Sequence, residues 1–532
     1  MRIKILFLTI LTLFYVISFN AYAQKYNRQK VTLSSAIAPI TVNLKSLSVP
    51  SPIVERGIEE NKEMGPFKSL EEFEMEQKRQ VIPKQFFNIH FSDKEEISYL
   101  SNINIVSSFV ENSRIKLTLE PGDPSIAVGK SHVVLLNNDG IYIYSKQNNQ
   151  LVYKNSFRNF FNSAMPIFDP IIIYDVDYER WVFTVVARDD NYFQSFIYIA
   201  VSQSNDPTKD WFYYIIDGGQ DGMIKSKYWA DRPYLSISSD IKDKKKGAVV
   251  ITSNQYDFYS WYYQYCKIRL FKKEDLYSGN PLIEYWDFWR FQSNLTSDIF
   301  NLAPATHLTP TNNAEIYFFQ TNANGGNRVY LWKLSNPLSN NPELKEISSI
   351  SVTNYYIPPM SPVKDQNKFI NIFDCRVLNI MYADNILYAA YNTKYDWGEG
   401  NNCIFRVLKI STQNGNLISE SGFGAKGYWY MFPCVIPIKN GDRFSDTLLV
   451  GFARSSNTIY PEARVVLYDG ISKWGKSYLV SEGVKPKEPM GRLGDYNSIT
   501  IDPYNFSNYW FASCIAGTNL WATGIANIEI IR

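Results

Sequence analysis

The sequence predicts an all-β protein, a β-propeller of seven blades that is preceded by an irregular N-terminal extension. Of the 532 residues, 45% are hydrophobic and 16% are aromatic, and this aromatic content, with many Val, Ile and Thr, is typical of strands. Short β-rich runs also recur at intervals of roughly 45 to 75 residues. A single sheet of four short strands cannot bury both of its faces, whereas sheets stacked around an axis can.

The repeated units share an order: a polar or Asp-containing start, an apolar strand that tolerates small residues, a turn, and then aromatic-rich strands. The seven units begin near Asp123, Asp169, Asp231, Ala303, Asp374, Tyr430 and Gly494. Small residues where innermost strands would converge fit this arrangement; they are Ala127, Gly129, Ser236, Ser238 and Ser498. The first unit is short, so we expect a strand from residues 103–119 to complete a blade and close the ring. Two stacked β-sandwiches are the alternative, but they give no reason for the repeated Asp-first start.

Residues 1–23 have the pattern of a secretory signal peptide. Arg2 and Lys4 precede an almost wholly apolar run over residues 5–19, and Ala21-Tyr22-Ala23 places small residues where a signal peptidase reads. A membrane anchor is the alternative, but the apolar run of about 15 residues is shorter than the roughly 20 that span a bilayer. The sequence therefore predicts a secreted protein of the periplasm, cell surface or extracellular space, with no transmembrane segment after cleavage.

The next segment, residues 24–114, is predicted to be an extension or arm, and the propeller is predicted over residues 115–532. Residues 55–79 are charged with scattered apolar side chains, which is typical of a short solvated helix, linker or outer cap. A pro-segment or docking arm is the alternative.

Charge, cysteine and histidine contents exclude several classes of function. The 54 Lys and Arg balance the 52 Asp and Glu, so we expect no nucleic-acid partner. The five cysteines include no C-x-x-C pair, and there are only three histidines. A zinc site and a Ser-His-Asp or Cys-His catalytic set are therefore not expected. Because the cysteine count is odd, at least one thiol is unpaired or bonded to another chain.

No cofactor or metal is predicted, although two acidic segments could supply oxygen ligands to calcium. These are Asp175-x-Asp177 and Asp189-Asp190-Asn191. Both lie between predicted strands, where Asp and Asn are ordinary turn residues.

Several segments together resemble a group of secreted bacterial β-propeller proteins that are described as sialidase-like or as uncharacterised. The segments are DPSIAVGKSHVV, FDPIIIYDVDYERWVF, AVSQSNDPTKDWFYY, FDCRVLNIMYADNILYAAY and GRLGDYNSITIDP. The resemblance covers roughly residues 121–528. Residues 204–211 (SNDPTKDW) are also similar to the Asp-box turn of sialidases, S-x-D-x-G-x-x-W, with Pro207 and Thr208 departing from the pattern around its Gly.

The candidate site lies at the beginnings of the innermost strands, where the loops of a propeller meet. Its residues are Asp123, Asp169, Asp231, Arg232, His307, Asp374, Arg376, Arg492 and Asp495. The resemblance to sialidases implies that Arg232, Arg376 and Arg492 bind a carboxylate through their planar guanidinium groups. His307 and Asp495 are predicted ligand-binding residues because they lie at the same strand beginnings. It also implies Asp231 or Asp374 as a catalytic acid and Tyr496 as a nucleophile. Alternatively, these Asp and Arg residues lock one blade to the next and bind nothing.

Two aromatic runs are a second candidate, residues 256–265 (YDFYSWYYQY) and 285–291 (YWDFWRF). Exposed rings in them could stack on sugars or on a partner protein, whereas core filling is the alternative. The leading hypothesis is a secreted binding propeller that recognises a glycan or an extracytoplasmic protein. The alternatives are a sialidase-like glycoside hydrolase or lyase acting on an acidic sugar, and a structural component of the envelope or surface.

Overall fold

In the computed structural model, the paired strands form seven sheets around a central axis. The structure describes residues 26–33, 39–47, 66, 70–80, 102–112, 121–291, 299–398 and 400–531. The chain is therefore a seven-bladed β-propeller, as the repeats predict, and the alternative of two β-sandwiches is wrong. The predicted signal peptide and most of residues 55–69 lie outside the described residues. We call the face where the innermost strands begin the front face, and the opposite one the back face.

Blades 1 to 3 are built outward from their innermost strands through antiparallel neighbours. Blade 1 consists of Ser125–Val128, His132–Asn137, Gly140–Ser145 and Leu151–Asn155. Blade 2 consists of Ile167–Asp175, Arg180–Asp189, Gln194–Ser202, Asp210–Asp217 and, outermost, Ile40–Asn43. Blade 3 consists of Tyr228–Ser239, Gly247–Asp257, Tyr263–Lys272, Ile283–Trp289 and, outermost, Asn27–Leu33. A small hairpin, Gln220–Asp221 with Ile224–Lys225, lies in the connection between blades 2 and 3.

Blades 4 to 7 complete the ring. Blade 4 consists of Ala303–Pro304, Ile316–Thr321, Gly326–Ser335 and Glu343–Tyr355. Blade 5 consists of Val377–Ala383, Ile386–Asp396, Asn401–Ser411 and Leu417–Phe423, with Thr306–His307 parallel to its innermost strand. Blade 6 consists of Trp429–Asn440, Arg443–Ser456, Ile459–Tyr468 and Tyr478–Ser481. Blade 7 consists of Ser498–Ile501, Asn508–Ala516, Trp521–Ile531 and, outermost, Asn102–Glu111.

The ring is closed by the strand Asn102–Glu111, which pairs antiparallel with Trp521–Ile531. The expected closing strand therefore exists, and the blade that it completes is the seventh. Blade 1 needs no strand from elsewhere, because it has four strands of its own. Its unit is short because these strands are only four to six residues long. The tight turn that pairs Asn137 with Gly140 also keeps it short.

Other parts of the N-terminal extension pack on the outside of the propeller. Asn27–Leu33 and Ile40–Asn43 each add a fifth strand to a blade. The helix Leu70–Arg79 buries Phe73 against Ile357, in the connection between blades 4 and 5. Lys394 Nζ donates to Gln77 O at 3.2 Å and to Gln80 O at 2.8 Å, and so binds the C-terminal carbonyls of this helix. The other helices among the described residues are short: Phe157–Phe160, Lys273–Tyr277, and the 3-10 turns Leu44–Ser46 and Asn312–Ala314.

The hydrophobic core lies between facing blades, and the Asp-box-like turn of residues 204–211 shows how it is built. Asp206 Oδ1 accepts hydrogen bonds from Thr208 N at 3.0 Å and from Thr208 Oγ1 at 2.7 Å. Trp211 is fully buried, its indole donates to Pro207 O, and its ring lies 5.4 Å from Phe183. The Asp thus binds a loop amide and the Trp packs in the core. Among the described residues, no helix is long and apolar enough to cross a membrane.

Candidate functional site

In six of the seven blades, a non-glycine residue within four positions of the first residue of the innermost strand has the left-handed backbone conformation. The non-glycine residues with positive φ at these positions are Asp123 (47°), Asp169 (54°), Arg232 (45°), Asn301 (57°), Phe373 (64°) and Phe432 (52°). Such angles are uncommon for L-residues and recur here from blade to blade, so tertiary contacts must impose them. We call the polar residues at these strand starts the collar; they are Asp123, Asp169, Asp231, Arg232, Asn301, Asp374, Arg376, Arg492, Asp495 and Tyr496.

Hydrogen bonds of the collar run from one blade to the next. Asp123 Oδ1 accepts from Asp495 N at 2.5 Å, which joins blades 7 and 1. Asn138 Nδ2 donates to Asp123 Oδ2 at 2.8 Å, and Asn138 Oδ1 accepts from Asp169 N at 2.7 Å. Asp169 Oδ2 then accepts from Arg232 N at 3.2 Å, on blade 3. One continuous chain of hydrogen bonds therefore joins four successive blades.

The three candidate arginines are buried, and each of them contacts an aspartate of this chain. Arg376 forms a two-point ion pair with Asp374, with Nε–Oδ1 and Nη2–Oδ2 both at 2.9 Å. Arg492 Nη2 lies 2.8 Å from both carboxylate oxygens of Asp495. Arg232 Nη1 lies 3.7 Å from Asp495 Oδ2, and its Nη2 donates to Asp495 O at 3.1 Å. Their exposed fractions are 2% for Arg232, 2% for Arg376 and 6% for Arg492, so none presents its guanidinium at an open surface.

Aromatic rings also cover the arginines. The guanidinium carbon of Arg376 lies 4.8 Å from the ring centroid of Phe300, and Phe373 lies near both Arg376 and Arg492. Two connections close the front face above them, residues 356–376 between blades 4 and 5 and residues 482–497 between blades 6 and 7. Asn371 N donates to Gly491 O at 2.9 Å, which joins these two connections.

The predicted catalytic residues occupy the same closed collar. Tyr496 donates its hydroxyl to Pro170 O at 3.0 Å, and burial, followed by Asp123 and Asp169, raises its pKa well above the ordinary value. A phenol in this environment keeps its proton, whereas a nucleophile must lose it. Asp231 and Asp374 are buried too. The catalytic roles of Asp231, Asp374 and Tyr496 stay predictions, and the geometry favours the alternative of a lock between blades.

His307 does not lie in the collar, although the sequence analysis grouped it there. It lies on the strand Thr306–His307 and lines the central channel. Its ring is 4.8 Å from that of Tyr382, and burial lowers its pKa to about 3. His307 is therefore neutral at physiological pH.

The two acidic segments considered for calcium have partners within the chain. Asp175 Oδ2 lies 3.1 Å from Lys273 Nζ and accepts from the hydroxyl of Tyr277 at 3.0 Å. Asp189 Oδ1 accepts from Asn191 N at 2.9 Å, the expected turn role. Within the described ranges, no group of three or more His, Cys, Asp or Glu could bind a metal ion.

Of the two aromatic runs, residues 285–291 fill the core. Tyr285, Phe288 and Phe291 are buried, since the strand Asn27–Leu33 pairs along this blade edge and covers it. Sequence patterns around the run could not show this, because the covering strand is about 250 residues away along the chain.

The other run, residues 256–265, contributes to an exposed aromatic surface on the front face. Tyr259 is 70% exposed and Tyr262 is 41% exposed, both in the turn between the second and third strands of blade 3. The equivalent turn of blade 2 adds Tyr192, 74% exposed, and Phe193, 44% exposed. Phe193 and Tyr259 lie 4.8 Å apart with 31° between their ring planes. We call these four residues the aromatic platform. The aromatic runs of the sequence include Tyr259 and Tyr262 but not Tyr192 and Phe193.

The aromatic platform is rigid because its two turns are capped and joined. Asp257 Oδ1 accepts from Tyr259 N at 3.0 Å and from Ser260 N at 2.9 Å. The Arg188 guanidinium of blade 2 contacts two indoles of blade 3, and its carbon lies 4.2 Å from the ring centroid of Trp229 and 4.3 Å from that of Trp261. Such cation–π contacts are strongest where the cation is desolvated, and Arg188 is buried. Blades 2 and 3 thus present the platform as one preorganised surface.

Comparisons with known proteins give distant structural similarities only. The sequence matches no protein-family model and no curated protein. Similar solved structures include the phage phi92 endosialidase, with a TM-score of 0.39 and 7% identity over 81% of this chain and 69% of that chain. The Dos1 propeller has a TM-score of 0.36 and 9% identity over 75% and 76% of the two chains. A Hadza microbial sialidase has a TM-score of 0.37 and 9% identity over 74% and 73%.

Proposed function

We propose that this propeller is a carbohydrate-binding protein and that the aromatic platform is its binding site. The observation that carries the proposal is the exposure of Tyr192 and Tyr259, at 74% and 70%, on capped turns. Exposing rings to water has an unfavourable free energy, and a rigid aromatic surface recovers it when a ligand covers the ring faces. Since the turns are already ordered, little conformational entropy is lost on binding.

The polar surroundings of the aromatic platform favour a neutral sugar. Asp190 and Asn191 are exposed beside Tyr192, and Gln264 is half-buried near Tyr262, to whose carbonyl its side-chain amide donates at 3.0 Å. Carboxylate and amide groups of this kind exchange hydrogen bonds with hydroxyl groups. The charges around the rings compensate each other, since Asp190 lies 3.0 Å from Arg188 Nε and Asp257 lies 3.3 Å from Lys227 Nζ, so an acidic sugar gains no net attraction. Ring stacking with flanking hydrogen bonds is the arrangement that a pyranose needs.

Binding is proposed in preference to hydrolysis because of the contacts that the charged groups make within the collar. Its carboxylates and guanidinium groups are buried, and they contact one another. A glycosidase needs two carboxyl groups that flank the scissile bond of a bound sugar. The proposed setting is extracytoplasmic, and this part of the proposal rests on the signal-peptide pattern of residues 1–23 alone.

The test is a glycan array probed with the purified protein, with released sugar measured by mass spectrometry on the same samples. Tyr259→Ala should weaken retention about tenfold or more, as for buried aromatic anchors in other interfaces, while Tyr259→Phe keeps the ring and should bind almost normally. Phe369→Ala is the matched control, because Phe369 is an exposed front-face aromatic outside the platform. Sugar release would instead indicate a hydrolase. The absence of protein retention on every neutral glycan of the array would contradict the proposal.

A further inference from the structure

The small hairpin between blades 2 and 3 carries two exposed apolar side chains at its turn. Gln220–Asp221 pairs with Ile224–Lys225, and Gly222 and Met223 connect the two short strands. Met223 is 59% exposed and Ile224 is 69% exposed. Gly222 has a φ of 59°, a conformation that glycine adopts readily at the first position of a two-residue hairpin turn. We call Met223 and Ile224 the hairpin tip.

Polar groups of blade 3 hold the backbone of this hairpin in place. Gly222 N donates to Asp287 Oδ2 at 3.0 Å. Gln220 O accepts from Lys267 Nζ at 2.7 Å and from Arg269 Nη2 at 2.9 Å, and both of these cations are fully buried. The hairpin is therefore fixed on the propeller although its tip is exposed, and little conformational entropy is lost when the tip is covered.

Two exposed cations flank the hairpin tip. Lys225 follows it directly in the sequence, and the guanidinium carbon of Arg290 lies 4.4 Å from the ring centroid of Tyr265, whose hydroxyl donates to Asp221. In the part of the chain that the structure describes, no carboxylate forms an ion pair with Lys225 or Arg290 within 4.0 Å.

The carboxylates near the hairpin have partners within the chain. Asp221 lies 2.7 Å from Lys267 Nζ, Asp287 lies 3.0 Å from Arg269 Nε, Asp257 lies 3.3 Å from Lys227 Nζ, and Asp217 accepts from Gly219 N at 2.8 Å. Five cations and four carboxylates thus surround the hairpin, and the small excess of positive charge is exposed at Lys225 and Arg290. A phosphate group outside the protein can reach both of them.

The shape and composition of the hairpin tip fit a lipid layer. Single exposed apolar residues are common on protein surfaces, but here two consecutive ones lie on a fixed turn between cations. Proteins that bind a membrane surface place apolar side chains at the acyl boundary, while Lys and Arg keep their charged groups among the lipid head groups. A stable protein interface buries about 800 Å² on each partner, and one turn with two side chains is far too small for that.

We propose that the hairpin tip inserts into the surface of a lipid layer that contains anionic head groups, with Met223 and Ile224 at the acyl boundary and with Lys225 and Arg290 beside the phosphates. This insertion needs no sugar and does not rest on the proposed function. Lys227, which follows the hairpin, contacts Asp257 of the aromatic platform turn. The docked protein would therefore hold the platform close to the same layer.

The experiment is sedimentation of the purified protein with phosphatidylcholine vesicles, prepared with and without phosphatidylglycerol. Ile224→Asp should lower the partition coefficient about tenfold or more, because it removes an apolar side chain and brings a charge to the acyl boundary. Ile471→Asp is the matched control and should change nothing. Ile471 is 71% exposed on a capped turn of the back face, where Asp469 Oδ1 accepts from its N–H at 2.8 Å.

A second pair of variants tests the cations. Lys225→Gln should weaken partition about threefold to fivefold on vesicles that contain phosphatidylglycerol and should have no effect on pure phosphatidylcholine. Lys473→Gln, an exposed lysine of the same back-face turn as Ile471, should have no effect on either kind of vesicle.

A fluorescent label reports insertion directly. All five native cysteines are buried, so Met223→Cys can be labelled selectively with an environment-sensitive dye. Emission of this label should shift to shorter wavelength when vesicles that contain phosphatidylglycerol are added. The same label on Ile471→Cys should not respond.

Three results would overturn the proposal: no sedimentation with vesicles that contain phosphatidylglycerol, equal partition of the wild type and Ile224→Asp, or a label at position 223 that does not respond. A dimer that Ile224→Asp converts to a monomer would also overturn it, because a second copy would then cover the tip. Ile224→Asp should keep glycan retention and Tyr259→Ala should keep vesicle binding, so this inference and the proposed function can fail separately.

Discussion

Arg376 and Asp374 are bound to each other at two points, with both N–O distances at 2.9 Å, while almost no part of either side chain reaches solvent. Asp374 Oδ1 also accepts the backbone N–H of Arg376 at 2.8 Å. The guanidinium that could have bound a ligand carboxylate is thus occupied by a carboxylate two residues away. In a buried pair of this kind, removal of one partner leaves the other charge without compensation.

Arg376→Met should destabilise the fold by about 3–5 kcal/mol, because it leaves the Asp374 carboxylate buried without its cation. The double variant Asp374→Leu/Arg376→Met removes both charges and should recover most of this loss. Urea unfolding of the three proteins measures the effect, and exposed Arg443→Met is the control. A loss below about 1 kcal/mol for the single variant would show that the pair is solvated.

Asp123 should make the stability of the propeller fall with rising pH. Burial raises the pKa of its carboxyl well above the ordinary value, and Asp495 and Asp169 add to the rise. Because the folded pKa exceeds the unfolded value of about 3.9, the contribution is complete below about pH 4 and is lost as the pH rises towards the folded pKa. Relative to Asp123→Asn, the wild type should therefore lose unfolding free energy between about pH 4 and neutral pH. Exposed Asp243→Asn should run parallel to the wild type.

Arg188→Met should loosen the aromatic platform without unfolding the propeller. The substitution removes two cation–π contacts of about 0.5–2 kcal/mol each, one to Trp229 on the innermost strand of blade 3 and one to Trp261 in the turn of that blade. It also removes the ion pair of Arg188 with Asp190. Amide hydrogens in residues 257–262 should exchange faster, and retention of glycan should fall. Arg180→Met, on the back face, should change neither quantity. Unchanged exchange in Arg188→Met would mean that the Asp257 cap alone orders the turn.

The strand Asn102–Glu111 should act as a separable closure of the ring. It pairs along Trp521–Ile531, and Phe109 packs on Tyr144 of blade 1 with 5.0 Å between ring centroids. A chain that begins at residue 115 also lacks the strands Asn27–Leu33 and Ile40–Asn43 and the helix Leu70–Arg79, so the measurement that isolates the closing strand is the rise in its unfolding midpoint when a synthetic peptide of residues 102–112 is added. The same peptide with Phe109→Asp should not raise the midpoint. Equal midpoints with and without the added peptide would contradict a role in closure.

The five cysteines should react with thiol reagents only on unfolding. All five lie within the described residues, and each is buried and forms no disulfide. Burial raises the pKa of Cys266 to about 12, so little thiolate is present even in mildly alkaline buffer. Labelling with an aromatic disulfide in native buffer should follow the rate of global unfolding and should become fast in urea. Rapid labelling of one thiol in native buffer would reveal local opening of its blade.

The sequence alone was sufficient for the architecture, because blades are local. Each strand of a blade pairs mainly with its neighbours in the chain, so a run such as Asp123 to Ser145 carries its own turn and pairing signals. The beginnings of the seven units were therefore predictable. For the aromatic run of blade 3 the sequence left exposure and core filling open, and the structure places Tyr259 in an exposed turn between two strands that pair directly.

Only the tertiary structure decided which polar side chains are buried and paired within the chain and which are open to a ligand. Asp123 and Asp495 are 372 positions apart and share one hydrogen bond, and no local pattern distinguishes such a lock from an open ligand site. In the same way, burial of Tyr285 depends on Val31, and the aromatic platform depends on Arg188 meeting Trp229 and Trp261. Residue type determines what a side chain can bind, but whether it is available depends on which distant strand packs over it.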